Sequence, residues 1–365
     1  MLDSANIPID LALRWWYMKG LLAEGTNIYA ADLGALYPPS MYVLLWPLIG
    51  WLSYSWVTPV WAVINAISVV ALMALTVKWL KEHNIPSDVR WLITLAIPAF
   101  HSISQALGIG QVTVVYITLF FLVAYRCSQH RIRLWEKLLW MLPLALCLGK
   151  FSLFIPLIVP LLLHERLRII AIGAIILNLI LSWQVASMLD TGIFKLMAQI
   201  MENSNKVREV GSLDLHVLLS ISGVSNLGTT LSSIVLLAAF AVISYRIRSS
   251  NLLIQLALAA ITARFWVYHG HYDNVVLIFV LMALALFITT PLHKGLQSLA
   301  ASPSLPILMG LTILTLIIPA RFLIFTEPAY GIFLLLQLTV WLCAGGYLLY
   351  KAIKKPGQPQ TSHPG

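Results

Sequence analysis

Residues 58–80 read TPVWAVINAISVVALMALTVKWL, a run dominated by apolar side chains in which Lys78, close to the end, is the one charged residue. An α-helix satisfies its own backbone inside lipid, and roughly 20 apolar residues suffice to cross the hydrocarbon core. The same reading recurs at 91–106, 111–125, 168–187, 228–246, 251–267, 274–290, 305–323 and 330–350. The stretch 138–163 is apolar too, but Pro143, Gly149 and Lys150 interrupt it, so it is expected to form two short helices with Lys150 close to the turn between them. The pattern predicts an all-α, polytopic helical membrane protein with about ten crossings.

Composition leads to the same class. Of 365 residues, 60% are apolar, 10% charged and 11% aromatic, and the mean hydropathy is +0.88. Soluble domains carry roughly 25% charge, so a water-facing surface could not be covered here. Disorder, collagen and a disulfide-rich scaffold are excluded by the same figures. The cysteines, Cys127, Cys147 and Cys343, lie in or beside apolar runs and imply neither a disulfide framework nor a zinc site.

The cations orient the chain, because cytoplasmic loops hold an excess of Lys and Arg. With the N-terminus outside and the C-terminus inside, the inner loops collect 15 of the 23 cations and 4 of the 14 acids. The net charge of +9 is therefore a matter of topology and not a nucleic-acid footprint. The expected organisation is one transmembrane domain over 1–355 and a short cytoplasmic tail at 356–365, in the plasma (inner) membrane. Residues 1–57 form a first outer loop and 188–227 a second. The second contains Ile193, Leu196, Met197, Ile200 and Met201 at helical spacing, as in a helix lying in the interface. The run 41–57, MYVLLWPLIGWLSYSWV, is short and carries Pro47 and Gly50; it is expected to be an outer juxtamembrane helix. No apolar span precedes the first outer loop, which leads to the expectation that a helix stands ahead of Met1 in the natural chain.

Ionisable groups at membrane depth cost roughly 2.5–3.5 kcal/mol each on insertion scales and are functional candidates. On the outer side these are Asp10, Arg14, Lys19, Asp32, Lys150, Arg264, His269, His271, Asp273 and Arg321. Interfacial snorkelling is the competing reading for any single Lys or Arg. The opening segment is the most specific: Asp10, then Arg14, Trp15, Trp16 and Tyr17, then Gly25, Tyr29 and Tyr37-Pro38-Pro39. Gly110-Gln111 follows at an outer turn, then Lys150, then Trp266-Val267-Tyr268-His269-Gly270-His271-Tyr272-Asp273 ahead of a late helix.

In this order and on this side of the membrane, the motifs resemble glycosyltransferase family 87, the polyprenyl-phosphate-sugar-dependent transferases of the GT-C superfamily. The similarity runs from about residue 10 to 290. The chain departs from the family in having no helix ahead of Asp10, Thr113 where an Asn is frequent, and Phe151 where a Pro is frequent. The resemblance implies a GT-C-like fold and transfer of a sugar, mannose by family, from polyprenyl phosphate to a glycolipid or glycan acceptor, with inversion. It needs no cofactor.

A polyprenyl phosphate is already a good leaving group, so what the reaction needs is a base for the acceptor hydroxyl and groups that hold the departing phosphate. Asp10 is the expected base; its alternative is to cap a helix beginning near Leu11. Arg14 could hold the phosphate or pair with Asp10 one helical turn away. Lys150 could bind phosphate or serve as a structural counter-charge. His269, His271, Tyr272, Asp273 and Arg264 are candidates for donor or acceptor binding, with a helix cap as the other reading of Asp273. Gln111 and Tyr37 could bind ligand or simply shape a turn and a Pro-opened helix. Two His with few acids nearby make a poor metal site, so none is expected. No Gly-rich loop follows a strand, which disfavours a nucleotide-sugar donor. The rival class is a secondary transporter or lipid flippase, for which broken helices and repeated halves are the usual signs.

Overall fold

The computed structural model describes residues 8–30, 34–129, 132–206, 226–267, 270–288, 304–319 and 327–354. The described residues are almost entirely helical. In chain order the helices are α1 (Ile9–Ala23), α2 (Pro39–Leu45), α3 (Tyr54–Glu82), α4 (Ser87–Ala96), α5 (His101–Ile109), α6 (Thr113–Gln129), α7 (Leu134–Leu148), α8 (Phe151–Leu163), α9 (Glu165–Met188) and α10 (Ile193–Lys206). There follow α11 (Asn226–Arg246), α12 (Leu252–Trp266), a 3-10 turn (His271–Leu277) running into α13 (Ile278–Ala285), α14 (Ser304–Ile317) and α15 (Glu327–Lys354). Among the described residues, four stretches are long and apolar enough to cross a bilayer: Tyr54–Glu82, Ser87–Ile109, Glu165–Met188 and Gly331–Lys354. Several shorter apolar helices accompany them. The chain is an all-helical, multi-pass membrane protein.

The side chains point the way lipid demands. On α9 the large residues Ile169, Ile172, Ile176, Leu179, Ile180 and Trp183 are exposed, whereas small or polar Ala171, Ala174 and Ser182 are buried. Small residues inside and large apolar residues outside let helices approach closely while hydrocarbon covers the rest. The helix α1 also turns large apolar side chains outward, while it buries a charge among other apolar residues. Ile9, Leu13 and Trp16 are exposed at helical spacing, and Arg14 is buried with Leu11, Met18 and Leu21.

The chain divides into two compact units, one of residues 1–71, 105–155 and 165–211, the other of 72–104, 156–164 and 212–365. In the first, α7 packs on α9 and α6, and α2 packs on α9. A Cβ on Gly173 would fall 2.3 Å from the Met141 sulfur, which shows how closely α9 approaches α7. The Ser40 hydroxyl donates to Asn178 Oδ1, and Asn178 Nδ2 donates to the Ala145 carbonyl at 2.7 Å, so one amide ties α2, α9 and α7 together. In the second unit, α12 packs on α13, α15 and α11, and α14 on α15.

Two stretches differ from the sequence expectation. The run 41–57 does not form one helix: α2 ends at Leu45, a π-helical turn covers Trp46–Gly50, and α3 begins at Tyr54. Pro47 has no N–H to donate and forces the ladder to widen. The Trp46 ring lies over Gly50, where a Cβ would come within 2.4 Å of it. The 91–106 span is broken by a 3-10 turn at Ile97–Ala99, where Pro98 again withholds a donor, and α5 restarts at His101. The expected short helices in 138–163 are present as α7 and α8, with Gly149 and Lys150 between them.

Candidate functional site

The first unit gathers a charged cluster around the turn between α5 and α6. Asp10 and Arg14 stand one helical turn apart on α1, and the helix starts at Ile9 behind Pro8, with no side-chain cap. Asp10 therefore lies inside the first turn, and the capping role expected as its alternative does not hold. The turn between α5 and α6 lies against this helical start. Gly110 has φ +71°, and a Cβ there would sit 2.5 Å from the Leu11 Cβ. Only a glycine combines that backbone with that approach.

This contact sets Gln111 between the two charged side chains of α1. Gln111 Nε2 donates to Asp10 Oδ2, and Arg14 Nη2 donates to Gln111 Oε1 at 2.7 Å. The guanidinium also donates to the Tyr37 hydroxyl at 3.0 Å and the Gly110 carbonyl at 3.4 Å, and its carbon stands 5.0 Å from the Tyr37 ring centre. The direct Arg14 Nη2 to Asp10 Oδ2 separation is 3.9 Å. The Arg14 side chain is 4% exposed and that of Asp10 28% exposed, so the carboxylate is the open member of the group.

Lys150 joins the same turn two residues further along. It is buried between α7 and α8, 3% exposed, and its Nζ donates to Thr113 Oγ1 at 2.8 Å. Thr113 opens α6. Two buried cations and one half-open carboxylate are thus tied to the stretch 110–113. Charges of one sign held away from water strengthen each other's pull on an anion.

Of Gly25 and Tyr29, singled out for their spacing, Tyr29 reaches the cluster through the backbone of Tyr37. Gly25 has φ +66°, and Tyr29, fully buried, donates its hydroxyl to the Tyr37 carbonyl at 3.1 Å. Asn203 on α10 donates Nδ2 to the carbonyls of Tyr29 and Ala35, both at 3.3 Å. The spacing Asp10–Gly25–Tyr29 therefore describes a loop that presents Tyr37 to Arg14.

The second unit carries the other expected group. Arg264 is buried on the last turn of α12, and Asp273 is buried in the 3-10 turn. The turn is entered through Gly270, and Asp273 stands in its first turn. The Tyr272 ring covers Gly270, where a Cβ would fall 2.4 Å from it. Arg264 and His271 line a small cavity with Phe265, Leu334, Gln337 and Trp341. Gln337 and Trp341 are held by hydrogen bonds to Thr315, at 2.9 and 3.1 Å. His269, Asp32 and Arg321 lie outside the described residues.

Thr113, Tyr42 and Tyr116 belong to the surroundings of the first cluster but were not singled out from sequence as ligands. Tyr42 and Tyr116 are fully buried and within electrostatic reach of Arg14 and Tyr37. An apolar run hides its tyrosines among phenylalanines, so only the register of α6 relative to Gln111 could have pointed to Tyr116. No family model matches the chain, and no curated protein or solved structure matches it.

Proposed function

We propose that this protein is a membrane glycosyltransferase of the GT-C kind. It moves a sugar, mannose by the family resemblance, from a polyprenyl-phosphate donor to a glycolipid or glycan acceptor. The reading rests on the cluster around Gln111: a half-open carboxylate beside two buried cations, in a chain built for lipid. In the reaction, Asp10 takes the proton from the acceptor hydroxyl, whose oxygen bonds to the anomeric carbon from the face opposite the phosphate. The bond from that carbon to the phosphate oxygen breaks, and its electron pair leaves on the polyprenyl phosphate. The anomeric configuration inverts. Arg14 and Lys150 supply positive charge for the phosphate as it departs. The loop charges support about ten crossings in the plasma (inner) membrane, with the cluster on the outer face and the C-terminus cytoplasmic.

Asparagine keeps the size and the hydrogen-bond acceptor of Asp10 but cannot accept the acceptor's proton. Asp10→Asn should insert and purify like the parent, while its transfer rate falls by about 10²–10⁴-fold, the usual worth of a general base. Near-parental turnover would remove Asp10 as the base. A secondary transporter or flippase is the second reading, favoured by the helix broken at Pro98, since transporters place broken helices along their substrate paths. Movement of lipid-linked sugar across reconstituted vesicles with no product formed would select it.

A further inference from the structure

We infer that Gln111 is a positioning residue for the Asp10 carboxylate, holding it apart from Arg14 so that it stays available as a base. This rests on the transferase reading above and assigns Gln111 a part other than ligand binding. Gln111 is 1% exposed, and its two amide atoms face opposite partners. Nε2 donates to Asp10 Oδ2, and Oε1 accepts from Arg14 Nη2 at 2.7 Å. Only one orientation of the amide serves both, because a carboxylate takes only donors and a guanidinium only acceptors.

Without the amide, the two charges of α1 would have little to keep them apart. They stand at i and i+4 with 3.9 Å between Nη2 and Oδ2, whereas a direct charge-assisted bond closes to about 2.7–2.9 Å. In that closed pair the lone pairs of Asp10 would point at the guanidinium rather than at a substrate hydroxyl. The backbone holds the amide in place: Gly110, at φ +71°, presses on Leu11, and the Gln111 N–H donates to the Ala106 carbonyl at 2.8 Å. Arg14 also donates from Nη2 to the Tyr37 hydroxyl and from Nη1 to the Gly110 carbonyl, which hold the guanidinium in place.

A misplacement of about 1 Å can cost around 10²-fold in rate with little change in binding. The test is a mutant cycle on the full-length protein in lipid nanodiscs, with polyprenyl-phosphate mannose as donor. Gln111→Met removes both hydrogen bonds at nearly constant volume. Gln111→Glu keeps an acceptor for Arg14 but loses the donor to Asp10, and as the closest isostere it keeps the measurement open if the Met variant does not insert. Each variant is made in the parent and in Asp10→Asn.

Both variants should lower kcat by about 10- to 100-fold with the donor KM within about twofold. In the Asp10→Asn background neither should cost more than about twofold, because the group it positions is gone. A raised donor KM at unchanged kcat would make Gln111 a donor contact, and equal losses in both backgrounds would make it structural. Either result overturns the inference while the transferase reading stands. A parent that transfers no sugar overturns the transferase reading itself, and the inference with it.

Discussion

In the first unit the charged cluster is assembled from α1, the loop ahead of α2, the turn between α5 and α6 and the junction of α7 with α8, whereas in the second unit Arg264, His271 and Asp273 lie on one short stretch from the end of α12 into the 3-10 turn. The first is a network: each of Asp10, Arg14, Gln111 and Tyr37 bonds to another member, and Lys150 is tied in through Thr113. In the second, Arg264 and His271 come from neighbouring stretches of chain and line a small cavity together with Gln337 and Trp341 of α15. A group gathered from distant segments has to be held by tertiary contacts, and those contacts fix geometry more tightly than chain proximity does. On the transferase reading proposed above, orientation-sensitive chemistry is assigned to the first cluster and recognition to the second.

The largest effect expected from this contrast is between two aspartates. Asp10→Asn should lower transfer by about 10²–10⁴-fold, and Asp273→Asn by less than about tenfold when measured side by side in nanodiscs. Equal losses would erase the distinction, and the reverse order would move the base to Asp273. Next in size is Lys150→Met, which keeps the apolar stem and removes the ammonium. Hydrogen bonds to charged groups are worth about 1.5–3 kcal/mol, so donor affinity should fall by about 10- to 100-fold. The melting temperature should change little, because the lost hydrogen bond to Thr113 is offset by relief of the cost of burying the ammonium. Unchanged donor binding would leave Lys150 a structural counter-charge.

The smallest effect separates two glycines. At Gly110 an added Cβ meets Leu11 at 2.5 Å and the backbone has φ +71°, whereas at Gly346 on α15 nothing lies within 4 Å. Gly110→Ala should cost about 1–3 kcal/mol of stability and lower transfer by disturbing Gln111. Gly346→Ala should be neutral or stabilising by up to about 1 kcal/mol. Thermal unfolding in detergent, followed for both variants against the parent, separates these outcomes.

The extent to which this architecture is legible in sequence follows the same divide. Hydropathy reads length, so the run 168–187 appears as Glu165–Met188 and 251–267 as Leu252–Trp266. It does not read backbone hydrogen bonding, which is why Pro98 breaks a span that composition alone leaves whole, and why Pro47 splits 41–57 into a helix and a π-helical turn. Lys150 was visible because a Gly-Lys pair interrupts an apolar run. Its partner Thr113 was not, since that bond depends on how the turn at Gly110 seats on α1. The spacing motif points to Gly25 and Tyr29, and the structure gives Tyr29 a supporting part, bonded to the backbone of the Tyr37 that meets Arg14.

That a lipid-linked sugar is the donor can be read directly from a choice between two donors. Purified full-length protein in nanodiscs is given a glycolipid acceptor with either polyprenyl-phosphate mannose or the corresponding nucleotide sugar, and product is followed by mass spectrometry. Mannosylated acceptor and free polyprenyl phosphate should form from the lipid-linked donor alone. Product formed from the nucleotide sugar, or none from either donor, would contradict it.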